Sequence, residues 1–114
     1  MSANDFYIEH GYTPMTKYTE FDASTTLSIW TPETGKRVVI TSLMISNNAA
    51  AGTMRFVFDN TTATKIAEFT VGASTSISPL LGAIESTVVS GRIFARPSSS
   101  PTNGWRVVAQ GFEL

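Results

Sequence analysis

Apolar residues crowd most densely between positions 36 and 47. Val38, Val39, Ile40, Leu43, Met44 and Ile45 are interrupted only by Thr41 and Ser42, and Gly35 and Asn47-Asn48 bound the run. A β-branched-rich run of this length, closed by turn residues, is too short for a membrane-spanning helix and reads as a central strand. Its two parities differ. Val39, Thr41, Leu43 and Ile45 become more apolar toward the end, which assigns the Leu43 face to the core, and Val38, Ile40, Ser42, Met44 and Ser46 point the other way. A solvated outer face would be polar throughout, so Val38, Ile40 and Met44 require a cover, either a loop of the same chain or a neighbouring subunit.

Around that strand the alternation continues. Phe21, Ala23, Thr25, Leu27 and Ile29 share one parity against Glu20, Asp22, Ser24, Thr26 and Ser28. This predicts one half-buried strand from 19 to 30, followed by a Pro and Gly turn over 31–35. Past a small-residue loop at 47–52, Met54, Phe56 and Phe58 face inward, 59–62 turns the chain, and Ala67, Phe69 and Val71 form the next inward row. The Gly/Pro-bounded stretch 79–84 predicts a crossing between sheets. Segments 85–89 and 92–96 flank Ser90-Gly91, as a tight hairpin or as one strand with a glycine bulge. A turn-rich loop at 97–104 then leads into a closing strand in which Trp105, Val107 and Ala109 alternate with Arg106, Val108 and Gln110.

Before Thr19 no period is sustained, yet Phe6, Tyr7, Ile8, Tyr12, Met15 and Tyr18 are dense in aromatics for a solvated tail. The expectation is an extended N-terminal arm over 1–18, lying on its own domain or on a partner. Residues 19–114 are expected to form a single antiparallel β-sandwich, jelly-roll-like, of about eight strands.

Size and composition narrow this reading. At 114 residues the chain fits one domain and can bury roughly two thirds of its unfolded surface, enough for a core without staples. Charged residues are only 15% and helix-favouring runs are missing, which supports the all-β class. Eight basic against nine acidic residues leave a formal net charge of −1 without a basic cluster, so neither nucleic acid nor an anionic membrane is an expected partner. The chain has no cysteine, which excludes disulfides, thiolate nucleophiles and cysteine-based zinc sites. Its first residues lack a signal pattern and no apolar run nears about 20 residues, so it is expected to be made soluble and without a cleaved signal.

Candidate chemistry thins out under inspection. His10 is the single histidine and falls in the unperiodic arm, where a triad base would lack a rigid support. One histidine with scattered carboxylates gives no metal-ligand spacing, and Asp59-Asn60 reads as a turn rather than a calcium loop. Glu68 and Asp59 occupy outward positions that solvated strand faces ordinarily fill, so they are a poor carboxylate pair. Asn60-Thr61-Thr62 matches a glycosylation acceptor, which means little without a secretory signal. Trp30 and Trp105 are read as caps on the core rather than as sugar-stacking platforms. No catalytic, cofactor or metal site follows, and a non-enzymatic protein is expected.

Three stretches carry a resemblance: Lys36-Arg37-Val38-Val39-Ile40-Thr41-Ser42-Leu43-Met44-Ile45-Ser46-Asn47, then Met54-Arg55-Phe56-Val57-Phe58, and the terminal Trp105-Arg106-Val107-Val108-Ala109. Together, over 36–114, they resemble small β-sandwich modules of tailed-phage virions, in the style of capsid decoration (cement) proteins and related head-fibre or tail-appendage domains. That resemblance implies a non-enzymatic, homo-oligomeric subunit, often a trimer, made in the host cytoplasm. It would sit on the capsid surface and clamp neighbouring capsomers of major capsid protein. Low charge and an aromatic arm suit a clamp built from many weak contacts repeated by symmetry. The oligomer or capsid interface is expected at Phe6, Tyr7, Ile8, Tyr12, Val38, Ile40 and Met44. A carbohydrate- or receptor-binding module is the rival class, with Trp105 and the 97–104 loop as its aromatic platform.

Overall fold

The computed structural model describes residues 7–21, 26–48, 50–58, 65–79, 84–86, 89–98 and 104–114. Within them the chain forms β1 (Met15–Phe21), β2 (Leu27–Trp30), β3 (Val38–Asn47), β4 (Gly52–Phe58), β5 (Lys65–Val71), β6 (Thr75–Ile77), β7 (Ile84–Glu85), β8 (Ile93–Pro97) and β9 (Trp105–Glu113). One sheet runs β1-β9-β3-β6, with β7 also on β3, and the other runs β2-β8-β4-β5. Every pairing is antiparallel, and the partners nest: β1 with β9, β2 with β8, β3 with β6 and β4 with β5. The chain is therefore one long hairpin wound around a core, a jelly-roll sandwich.

β3 and β9 decide which side chains reach that core. In β9 the alternation is regular, with Trp105, Val107 and Ala109 buried between the sheets. Opposite, Ile40 pairs with Gly111 and Ser42 with Gln110, so Thr41 is an extra residue, a β-bulge. Its hydroxyl donates to the Gln110 carbonyl at 3.4 Å. The inserted residue reverses the parity of β3: Val38 and Ile40 enter the core before it, and Leu43 and Ile45 after it. This corrects the single-parity reading. Val38 and Ile40 are not outward positions, and Val39, assigned to the core, instead packs with Tyr7 and Phe112 on the outer side. Both parities are apolar on the N-terminal side of Thr41, so alternation alone could not register the insertion.

Gly111 makes the bulge possible. A Cβ at that position would lie 1.9 Å from the Val39 carbonyl oxygen and 3.0 Å from Ile40 Cα, so only glycine allows the two backbones to approach. The ends of the sandwich are tied by polar groups. Beyond the Trp105 end, the Asn47 side-chain amide donates to the carbonyls of Ala50 at 3.0 Å and Gly72 at 3.1 Å, linking β3 to the chain that follows β5. At the other end, Trp30 Nε1 donates to Glu113 Oε2 at 3.1 Å and the Glu33 amide to Glu113 Oε1 at 2.7 Å.

Three other expectations change. The strand predicted over 19–30 is two strands in different sheets, because Phe21 pairs with Trp105, where β9 begins, and a longer β1 would have no partner. β1 also starts at Met15, inside the stretch read as arm. There Lys17 is half-buried with its ammonium 5.7 Å from the Trp30 ring, while Tyr18 faces out, and this inverted polarity hid the strand. Finally, β7 and β8 lie in opposite sheets, so the stretch around Ser90-Gly91 is neither a hairpin nor one bulged strand. Phe6, the 59–62 turn, residues 80–83 of the predicted crossing and 99–103 of the turn-rich loop fall outside the described residues.

The bulge generates a mutational pattern. Gly111→Ala is expected to cost about 3 kcal/mol or more, read as a drop in melting temperature. Ile40→Asp and Leu43→Asp should both unfold the domain by burying an unpaired charge, whereas Met44→Asp should keep its circular dichroism spectrum. A folded Ile40→Asp variant would contradict the parity switch.

Candidate functional site

Among the described residues, the outer face of the first sheet holds two apolar surface features. The first follows from the bulge, which leaves Val39 and Phe112 as cross-strand neighbours on the outer side. Two apolar residues there need a cover, and Tyr7 supplies it. Its ring lies 5.1 Å from that of Phe112 and 6.1 Å, edge-on, from that of Tyr12. The Tyr7 hydroxyl donates to Glu85 Oε1 at 2.9 Å, so the polar end of the ring is satisfied while its body is buried. Tyr7 lies in a helical turn closed by bonds from Gly11 N to Ile8 O and from Tyr12 N to Tyr7 O, both 3.0 Å. Gly11 ends the turn at φ 86°, a conformation that favours glycine.

The second feature is a row across three strands. Tyr18 of β1 pairs with Val108 of β9, which pairs with Met44 of β3, all on the outward parity. Tyr18 is 55% exposed and Met44 42%. Polar residues border the row on both sides. On one side Arg106 lies 3.6 Å from Glu20, the Tyr18 hydroxyl donates to Glu20 at 2.6 Å, and the Ser76 hydroxyl donates to Ser46 at 3.2 Å. On the other, Thr16, Gln110 and Ser42 stand in register. The result is an apolar strip with a polar, charge-balanced border.

The residues singled out from sequence separate into groups. Ile8, Tyr12 and Met44 are exposed, and Tyr7 is the anchor that holds the turn presenting the first two. Val38 and Ile40 leave the interface for the core, for the reason given by the bulge. Tyr18 and Val108 were missed. Tyr18 stood in a stretch without a readable period, and Val108 acquires meaning only once β1 and β3 flank it. Trp30 and Trp105 are buried. With Trp105 at 0% exposure it offers no platform for stacking a sugar, which removes the aromatic residue on which the carbohydrate-binding reading rested. Glu68, considered as one of a carboxylate pair, instead accepts from Arg55 Nε at 2.9 Å across β4 and β5.

No protein-family model matches the chain, and no curated protein matches it. Among solved structures its fold is similar to a Bacillus endospore appendage protein of disulfide-linked pili, at 13% identity and a TM-score of 0.51 over 90% of each chain. It is also similar to Drosophila NLP-core, studied for pentamer formation and histone binding, at 8% identity and a TM-score of 0.50 over 88% of this chain and 97% of that one. A carbohydrate-binding module in complex with calcium and xylotriose is similar at 12% identity and a TM-score of 0.46, over 91% and 94% of the two chains. The two antiparallel sheets make the fold an all-β sandwich, and the first two likenesses support it.

The Tyr7 anchor has a signature in alkaline solution. Burial raises its pKa above the ordinary 10.0, and the hydrogen bond to Glu85 and that carboxylate's charge add to the rise. The folded state thus favours the protonated phenol. Its contribution is complete below pH 10.0 and is lost as pH rises through the higher folded value. Tyr7→Phe should cost about 1 kcal/mol at neutral pH and make the decline in melting temperature above pH 10.0 shallower than in the parent. Tyr18, raised first by its hydrogen bond to Glu20, remains to titrate in both proteins.

Proposed function

We propose that the protein is a non-enzymatic virion subunit, a capsid decoration module that docks through the outer face of its first sheet. Its partners in this reading are further copies of itself, as a trimer, and major capsid protein. The observation that carries it is the strip Tyr18-Val108-Met44, exposed at Tyr18 and Met44 and half-buried at Val108, beside the Tyr7-anchored turn that presents Ile8 and Tyr12. Tyrosine and methionine surrounded by a polar rim have the composition of a protein-protein contact, where aromatic residues and Met are enriched and charge is pushed to the edge. The salt bridge of Glu20 and Arg106 belongs to that edge.

The size of the face suits the role. The molecule measures 41 × 28 × 19 Å, so a broad sheet face can supply the roughly 800 Å² per partner of a standard interface. A lattice protein does not need tight single contacts, because modest ones are multiplied when many copies engage together. The resemblance of the 36–47, 54–58 and 105–109 strands to tailed-phage modules supports the capsid over other protein lattices. The single histidine supports a non-enzymatic role: His10 lies on the exposed turn, away from the buried supports that a general base requires.

Tyr18→Ser combined with Met44→Asp tests the reading, since both residues are exposed and neither belongs to the core. The expected outcome is an unchanged circular dichroism spectrum and melting temperature. Self-association by light scattering and retention on purified capsids should fall by about tenfold or more, corresponding to about 1 kcal/mol or more for each lost contact. Parent-like assembly and capsid retention in this variant would overturn the assignment of the face.

A further inference from the structure

At the end of the sandwich where β9 finishes, the N-terminal turn, the start of β1 and the link between β2 and β3 enclose an open groove of about 280 Å³. Tyr12, Met15, Glu33, Lys36 and Glu113 line it. We infer that this groove is a binding site for a single neutral pyranose ring, with Tyr12 as the stacking platform. The inference does not rest on the capsid reading.

Size limits the ligand first. The groove falls at the lower edge of the roughly 300–1,000 Å³ of small-molecule pockets, enough for one six-membered ring and too little for a nucleotide or a larger cofactor. Charge limits it next. Two carboxylates against one ammonium leave the lining negative, which disfavours phosphates, uronates and other anions. What remains complementary is a ligand with an apolar C–H face for the Tyr12 ring and hydroxyls that donate to Glu33 and Glu113 and accept from Lys36. A neutral pyranose has both.

One polar group, the Glu113 carboxylate, is held in place before any ligand arrives. Glu113 receives one hydrogen bond on each oxygen, from Trp30 Nε1 and from the Glu33 amide, and each oxygen keeps a lone pair for a further donor. Tyr12 is fixed by its edge-on contact with Tyr7 and by the hydrogen bond its N–H donates to the Tyr7 carbonyl, yet the residue is 40% exposed. Among the described residues Lys36 has no carboxylate partner and is available to the ligand. A fixed carboxylate beside a fixed, exposed aromatic residue distinguishes this end of the sandwich from an ordinary solvated rim.

Amide correlation spectra of the intact protein, titrated with the methyl glycosides of glucose, galactose, mannose and N-acetylglucosamine, test the site. At least one of the four should give saturable shifts at Gly11, Tyr12, Glu33 and Lys36, in the millimolar range typical of a single weakly held ring. Tyr12→Ala should weaken that binding about tenfold or more, Tyr12→Phe should restore it, and Glu33→Gln should weaken it without disturbing the fold. Absence of saturable shifts with all four sugars, shifts located elsewhere, or binding that survives Tyr12→Ala would overturn the proposal. Tyr12 also borders the docking face but Glu33 does not, so the sugar titration and Glu33→Gln report on the groove alone, while Tyr18→Ser with Met44→Asp reports on the docking face alone.

Discussion

The contact on which this fold depends is the close approach of Gly111 to the backbone of Val39 and Ile40. A β-carbon there would overlap the Val39 carbonyl oxygen, so the insertion of Thr41 into β3 and the glycine opposite it are one device. Bulges bend a strand and increase its twist. Here the bulge also lets a single ten-residue strand contribute Val38 and Ile40 to the core at one end and Leu43 and Ile45 at the other. Without the switch, half of the apolar residues in the longest run of the chain would face water.

The same device prepares the surface. By turning Val39 outward against Phe112 it creates an apolar seat, which Tyr7 fills, and the N-terminal turn is thereby fixed to one end of the sheet. The rest of the face stays open, with Tyr18, Val108 and Met44 in register across β1, β9 and β3. Stability and exposure are thus divided along the length of one sheet. The buried indoles illustrate the same economy: Trp30 satisfies its N–H through Glu113, whereas Trp105 Nε1 has no hydrogen-bond partner among the described residues. An unmade bond of this kind costs about 1–3 kcal/mol, offset by the large apolar area that the Trp105 ring buries between the sheets.

Much of this was legible in the sequence. Regular alternation placed Met54 and Phe56 in β4 and Trp105, Val107 and Ala109 in β9 on the core side, and the shortage of helix formers gave the class. The unreadable parts share one cause, which is that they depend on a partner strand. Thr41 is a bulge only with respect to Gln110 and Gly111. Phe21 ends β1 because its partner Trp105 is the first residue of β9. Lys17 is half-buried because the Trp30 ring lies within reach of its ammonium. The cover expected over Val38, Ile40 and Met44 is not found there, since Val38 and Ile40 lie in the core and Met44 is exposed, and Tyr7 instead covers Val39. The apolar strip was visible only in part: Met44 stood out as an outward apolar residue, and Tyr18 and Val108 joined it only through strand pairing.

The register of β3 against β9 in solution tests the central claim most directly. Nuclear Overhauser contacts should link Ile40 with Gly111 and Ser42 with Gln110 across the two strands, leave Thr41 without a residue directly opposite, and join the Val39 side chain to the rings of Tyr7 and Phe112. An unbroken register, with Thr41 opposite Gln110 and the Val39 methyls in contact with core residues such as Ile93, would contradict the account.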